Sequence, residues 1–182
     1  MTYSLTWLAD VLRAAKLQVV EVPGWKQSGR AEMGPVKGVL CHHTAGPAKG
    51  ENPSLALIEK GRPDLAGPLS HLVLGRSGTF YVVAAGRCNH AGEGLWQGIE
   101  SGNTNFIGIE AENAGTPKDP WPAVQMDAYA RGVAAILKHV GASAIMCAGH
   151  KEYALPKGRK IDPTFDMAAF RKVVAEHMAA PA

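Results

Sequence analysis

The sequence is poor in cysteine and in net charge, and it has no long apolar run. Its three cysteines, Cys41, Cys88 and Cys147, are an odd number without Cys-x-x-Cys spacing, so we expect reduced core thiols rather than a disulfide framework. The longest apolar stretch, GVAAIL, is far shorter than the roughly 18 residues of a membrane span. The formal net charge of +3 is too small and too scattered to indicate a nucleic-acid partner, although it mildly favours an anionic polymer.

The first residues also lack the layout of a signal peptide. The segment MTYSLTWLADVLRAAK does not place basic before apolar residues, because Asp10, Arg13 and Lys16 interrupt it. We therefore expect synthesis in the cytoplasm and no stable insertion into a membrane.

What the chain does have is the composition of a folded domain. Its 182 residues suit one domain, and the content of 46% apolar and 19% charged residues excludes wholesale disorder. The 21 glycines and 12 prolines exceed the usual share, which favours a loop-rich α/β domain over a helical bundle.

Predicted strands and helices interleave along the chain, which indicates an α/β fold: a single domain with a mixed central β-sheet flanked by helices. Helical spacing of apolar residues predicts helices over 5–16 and 122–140, and Asp166 is expected to cap a helix over 167–179. Short apolar runs predict strands over 17–22, 36–43, 106–113 and 143–147, a hairpin over 70–84 that turns at GRSG, and a short helix that begins at Asn52-Pro53 and ends at Gly61.

Two of the seven histidines stand out by their position. His42 and His150 each come at or just after the end of a short apolar strand, where a scaffold presents side chains to a cleft. Lys160 and Asp162 are two residues apart, so in an extended segment they project to the same side. Two imidazoles and a carboxylate form a three-ligand set for catalytic zinc. They match no local metal motif, so their spacing alone leaves a zinc site open.

The predicted strand FIGIEAEN has one apolar face and one face that carries carboxylates. Ile107 and Ile109 point to the core, whereas Glu110 and Glu112 alternate with them. A solvated sheet face would suit Glu112. For Glu110 we favour a functional interpretation, as a general base beside a water activated by the metal.

Six segments together resemble one enzyme superfamily in their order and spacing: CHHTAG, SHLVLGRSGTFY, NHAGEGLW, NFIGIEAEN, AGHKEY and GRKIDPTFD. They are similar to the zinc-dependent N-acetylmuramoyl-L-alanine amidases of the amidase-2 and peptidoglycan-recognition type, and especially to endolysins from phages of actinobacteria. The resemblance covers about residues 36–170, most of the chain. It implies a zinc site in a cleft at one face of the sheet.

The resemblance implies a role for individual residues. Zn²⁺ would be bound by His42, His150 and Asp162, which matches a family position occupied by either Cys or Asp. Lys160 matches the lysine that stabilises the oxyanion, and Glu110 matches the carboxylate that activates water.

Other positions carry weaker assignments. The resemblance places His90 and Trp96 in the loop that lines the substrate groove, although each also suits a purely structural role in that loop. Where some phage members carry a catalytic tyrosine this chain has Ser70, a departure that indicates the glutamate-dependent subgroup. We expect His43 and His71 to be structural.

The domain assignment follows from the same resemblance. Residues 1–30 are expected to form an N-terminal helix and arm packed on the domain, residues 31–178 the amidase catalytic domain, and residues 179–182 the start of a linker.

The activity implied is a peptidoglycan hydrolase that cleaves the amide between N-acetylmuramic acid and L-alanine by zinc-activated water. As an endolysin it would act as a monomer on bacterial peptidoglycan in the cell wall after its release. Two alternatives remain open: a cytoplasmic amidase that recycles anhydro-muropeptides, and a non-catalytic peptidoglycan-binding module.

Overall fold

The computed structural model describes residues 2–180, in which helices and strands alternate as predicted. In chain order the elements are α1 (Leu8–Ala14), β1 (Val19–Glu21), β2 (Gly38–His43), α2 (Leu55–Lys60), β3 (Gly61–Arg62), β4 (Leu65–Ala66), β5 (Leu72–Leu74), β6 (Phe80–Val82), α3 (Gly102–Asn105), β7 (Phe106–Ala111), α4 (Ala123–Val140), β8 (Cys147–Gly149), α5 (His150–Tyr153) and α6 (Met167–Ala179). No helix among these is long and apolar enough to cross a membrane.

The central sheet has six strands in the order β1–β6–β5–β7–β2–β8. Strands β5, β7, β2 and β8 run parallel to one another, whereas β6 is antiparallel to β5 and parallel to β1. The predicted mixed sheet is therefore confirmed, and β3 and β4 form a separate small hairpin. Because β7, β2 and β8 are parallel neighbours, their carboxyl ends meet at one edge of the sheet, where α/β proteins bind ligands.

Helices α1, α4 and α6 cover one face of this sheet. Alternate residues of the central strands point toward them, including Val39, Cys41, Ile107 and Ile109, all completely buried. Burying one aliphatic side chain of this kind stabilises the fold by about 1.5–3 kcal/mol. The opposite face carries Leu40 in a smaller cluster with Phe106 and Tyr153, so strand β2 is buried on both sides.

One predicted strand has the wrong bounds, and two short helices were not predicted. The predicted strand over 143–147 is wrong, because Ala144–Met146 form a 3₁₀ turn in which Ile145 is 46% exposed, and strand β8 begins only at Cys147. Strand β2 offers pairing partners only to Cys147–Gly149, which explains the shift. The two unpredicted helices are α3, before β7, and α5, directly after β8.

The last helix agrees with its prediction. The carboxylate of Asp166 accepts hydrogen bonds from the backbone N–H groups of Ala168 and Ala169, so it caps α6 as expected. Helix α6 ends at Ala179, and residues 181–182 of the predicted linker lie outside the described part of the chain.

Candidate functional site

Three predicted metal ligands converge at the carboxyl edge of the sheet. His42 lies near the end of β2, His150 directly follows β8, and Asp162 comes from the loop before α6. The two Nδ1 atoms are 3.0 Å apart, and Asp162 Oδ2 lies 3.2 Å from the Nδ1 atom of His42 and 3.1 Å from that of His150. The structure thus gathers the three side chains into a group that could hold a metal ion.

The hydrogen bonds of the two Nε2 atoms, which point away from this group, determine the tautomers of His42 and His150. The Nε2 atom of His150 lies 2.9 Å from the carbonyl oxygen of Ala91, which can only accept, so Nε2 carries the proton. His90 likewise directs Nε2 at the carbonyl oxygen of Phe106, 3.1 Å away, and therefore offers a bare Nδ1 to Nε2 of His42 at 3.1 Å.

In the neutral form of each ring, these hydrogen bonds leave the inward Nδ1 atom without a proton. Burial, together with the neighbouring His150, lowers the pKa of His42 to about 4, so His42 is neutral at physiological pH. Two imidazole lone pairs and a carboxylate oxygen then face one another at about van der Waals distance or less. A cation between them satisfies all three, so the residues present fit a metal of the kind that His₂Asp sets bind.

Glu110 stands beside this group on the neighbouring strand. It is paired in register with His42, so both side chains lie on the same face of the sheet. Its Oε1 atom is 4.0 Å from Nδ1 of His42, its side chain is only 15% exposed, and Oε2 has no hydrogen-bond partner among the described residues. Burial, together with the charge of Asp162, raises the pKa of Glu110 to about 8.

Lys160 lies on the same loop as Asp162 and is half-buried. Burial dominates the pKa values of Glu110 and His42, and the positive charge of Lys160 lowers both of them. The five residues predicted for metal binding and catalysis therefore gather around one point.

The two residues predicted to line the substrate groove both make contacts within the protein. His90 is buried behind His42, and both of its ring nitrogens are engaged within the protein. The indole N–H of Trp96 donates to the carbonyl of Ile145, and its ring lies 5.3 Å from the guanidinium carbon of Arg171. Ile145 precedes β8 whereas His150 follows it, so Trp96 packs toward the opposite end of that strand.

The histidines expected to be structural behave differently from the metal-facing pair. His71 is completely buried and its Nδ1 atom accepts from the backbone N–H of Gly108 at 2.9 Å. His43 is also buried, and its ring lies 6.2 Å from that of Trp121.

Sequence reasoning missed two side chains that organise the site. The hydroxyl of Tyr129 accepts from the backbone N–H of His42 at 3.1 Å and lies 3.0 Å from the carbonyl of Ile109, which ties α4 to β2 and β7. No pattern distinguishes this tyrosine from the other residues on the apolar side of its helix.

Glu112 is the second missed residue, and its expected exposure to solvent is wrong. It is completely buried and accepts hydrogen bonds from the N–H and hydroxyl of Ser54 at 2.7 and 3.0 Å and from the hydroxyl of Thr44 at 3.0 Å. The segment between β2 and α2 folds over the end of β7, which the strand pattern alone does not show.

A comparison of the sequence with family models places the chain in a known family. A sequence model of the N-acetylmuramoyl-L-alanine amidase family matches residues 32–165 of the chain. No curated protein sequence matches the chain at a significant level.

Several solved structures share the fold. A selenomethionine derivative of AmpD is 26% identical, covers 95% of this chain and 99% of its own, and superposes with a TM-score of 0.64. The amidase AmiD from E. coli, in complex with the substrate anhydro-N-acetylmuramic acid-L-Ala-D-γ-Glu-L-Lys, is 22% identical with a TM-score of 0.63. That match covers 79% of this chain but only 59% of AmiD, so the chain spans less than two thirds of that relative. The amidase LysC from Clostridium intestinale is 16% identical, with 87% and 96% of the two chains covered and a TM-score of 0.61.

Proposed function

The chain belongs to the N-acetylmuramoyl-L-alanine amidase family, and on that premise we propose that it cleaves the amide between N-acetylmuramic acid and the L-alanine of the peptidoglycan stem peptide. One observation carries the proposal. Two deprotonated imidazole nitrogens and a carboxylate oxygen converge within 3.2 Å, with a buried carboxylate 4.0 Å away on the next strand.

The metal that the family implies is Zn²⁺, and His42, His150 and Asp162 would hold it. Two imidazoles with one carboxylate are a ligand set of catalytic zinc sites that leave a further position open. Zn²⁺ bound there supplies Lewis acidity, which makes water more acidic and polarises the amide carbonyl.

Glu110 is proposed as the general base and then the general acid. Its carboxylate accepts a proton from the attacking water while the water oxygen bonds to the carbonyl carbon. The same proton then passes to the alanine nitrogen, so the C–N bond breaks and a free amine leaves. Burial raises the pKa of Glu110 to about 8 in the metal-free protein, and a divalent cation bound beside it would favour the carboxylate form that this role needs.

Lys160 is proposed to stabilise the oxyanion. Lys160 lies on the loop that also carries Asp162, and its positive charge lowers the pKa of Glu110. An ammonium fixed near the developing negative charge stabilises the transition state more than the ground state.

The biological substrate is proposed to be the intact wall, in the manner of a phage endolysin, because the six sequence segments most resemble that group. The alternative is a recycling amidase that acts on soluble anhydro-muropeptides. AmiD was solved with an anhydro-muropeptide as its substrate, and this observation supports the alternative. A peptidoglycan-binding module without activity is disfavoured by the complete set of three ligands.

The test is the release of new L-alanine amino termini. Purified sacculi and soluble anhydro-muropeptides are each incubated with the protein as isolated, after chelation, and after addition of Zn²⁺ to the chelated protein. Release that chelation abolishes and Zn²⁺ restores supports the amidase proposal, and the preferred substrate separates the endolysin from the recycling enzyme. Zinc-loaded protein that binds sacculi but releases no amino termini would contradict catalysis and indicate a binding module.

A further inference from the structure

We propose that His90 is a positioning residue that holds His42 in the tautomer whose Nδ1 atom faces the metal. The inference rests on the proposed function, because it assumes that His42, His150 and Asp162 bind a cation. It concerns a buried residue that is not one of the three proposed ligands.

A continuous hydrogen-bonded chain supports this role. The carbonyl of Phe106 accepts from Nε2 of His90 at 3.1 Å, and Nδ1 of His90 lies 3.1 Å from Nε2 of His42. A carbonyl oxygen cannot donate, so the direction of both bonds is fixed from Phe106 outward. The proton on His42 is thereby held on Nε2, and its lone pair on Nδ1 points at His150 and Asp162.

Because both rings are buried, the hydrogen bond from His42 to His90 controls the tautomer of His42. His42 is 1% exposed and His90 is 7% exposed, so bulk water does not replace the bond between them. Without an acceptor beside Nε2, the buried N–H of His42 would be left unpaired, and the other tautomer would place a proton on the metal-facing nitrogen.

The same short segment also orients the second imidazole. Ala91, next to His90, supplies the carbonyl that accepts from Nε2 of His150 at 2.9 Å. The side-chain oxygen of Asn103 accepts from the backbone N–H groups of both His90 and Ala91, at 2.8 and 2.7 Å. One clamped dipeptide therefore sets the orientation of both histidines.

The sheet leaves room for this ring at one glycine. A Cβ atom at Gly108 would lie 2.7 Å from Cγ and Nδ1 of His90 and 3.0 Å from the hydroxyl of Ser70. Gly108 has an ordinary strand conformation, so Gly108→Ala would perturb the site through the crowding of the His90 ring rather than through backbone strain.

The first test measures zinc affinity by competition with a chromophoric chelator. His90→Ala is expected to weaken zinc binding by about 10–100-fold, the usual effect of removing such a partner. His90→Asn places an oxygen near the lost Nδ1 and is expected to restore most of the affinity, whereas His90→Gln reaches toward Phe106 instead and is expected not to. The matched control is His71→Asn, a buried histidine 5.5 Å from the His90 ring that retains an acceptor for Gly108 and should bind zinc as the wild type does.

The second test needs no metal. Long-range ¹⁵N–¹H NMR of the metal-free protein should show His42 protonated on Nε2 in the wild type and in His90→Asn, and should show a mixture of tautomers in His90→Ala. If His90→Ala does not fold, both measurements are made on Gly108→Ala instead. This variant is expected to show the same weaker zinc binding and the same mixture of His42 tautomers.

The outcomes distinguish failure of the proposed role of His90 from failure of the proposed amidase function. Wild-type zinc affinity and an unchanged His42 tautomer in His90→Ala, or in Gly108→Ala, would overturn the role of His90 alone. A wild-type protein that binds no zinc through His42, His150 and Asp162 would overturn both the inference and the proposed function.

Discussion

Replacement of Glu110 by glutamine should stabilise the metal-free protein, and increasingly so as the pH rises. The pKa of Glu110 is raised from 4.5 to about 8, chiefly by burial. A group whose pKa is raised by folding favours the folded state below its unfolded pKa, and this advantage is lost as the pH rises through the folded pKa. The wild type should therefore lose stability relative to Glu110→Gln between about pH 4.5 and 8.

The expected magnitude follows from the displacement of that pKa. Its full expression corresponds to an upper value of about 5 kcal/mol above pH 8, at about 1.4 kcal/mol per pKa unit. The other titrating groups are common to both proteins, so they cancel in the difference between them.

Urea denaturation of the chelated proteins from pH 5 to 9 measures this difference directly. The free energy of unfolding of Glu110→Gln minus that of the wild type should grow with pH and reach a plateau above pH 8. The exposed Glu59→Gln serves as the control and should run parallel to the wild type. A constant difference for Glu110→Gln across this range would refute the claim that the carboxylate is buried and costly to ionise.

Three further predictions follow from the same geometry. Lys160→Ala should lower kcat by about 10²–10³ while zinc content, measured by elemental analysis, stays normal, and an equal loss of zinc would contradict its assignment to the oxyanion. Tyr129→Phe should lower the free energy of unfolding by about 1–3 kcal/mol in urea titrations, because the backbone N–H of His42 loses its partner, and an unchanged midpoint would argue against that bond. Zinc at about 1,000 times its Kd should raise the stability of the wild type by about 4 kcal/mol in thermal unfolding, and Asp162→Ala should show a much smaller gain; equal gains would exclude Asp162 as a ligand.

The position of each candidate ligand could be predicted from the sequence, whereas their union into one ligand set depended on the family resemblance. His42 and His150 each follow an apolar run that pairs in the sheet, and the i, i+2 spacing places Lys160 on the loop beside Asp162. Parallel pairing then brings the ends of β2 and β8 together. Glu110 follows by the same logic, since alternation along β7 puts it on the face of His42.

The surroundings of these residues could not be predicted in the same way. The partner of His150 is a backbone carbonyl, at Ala91, and every residue carries one. The burial of His90 depends on how the segment between β6 and α3 folds back over β7, which no periodicity encodes. Trp96 shows the same limit, because it lies six residues after His90 in one loop yet packs near Ile145.

Glu110, near the end of β7, and Glu112, just after it, show how tertiary contacts distinguish two positions that the sequence pattern treats alike. Both carboxylates alternate with the same apolar residues, and both are buried. Thr44 and Ser54 surround Glu112 with hydrogen-bond donors, whereas Oε2 of Glu110 has no such partner among the described residues. Donors stabilise a buried negative charge, and their lack makes the neighbouring carboxylate hold its proton more tightly. The negative charge of Glu112 adds to the effects of burial and of Asp162 on the pKa of Glu110. The segment that covers Glu112 therefore contributes to the raised pKa of Glu110, which the strand pattern alone cannot show.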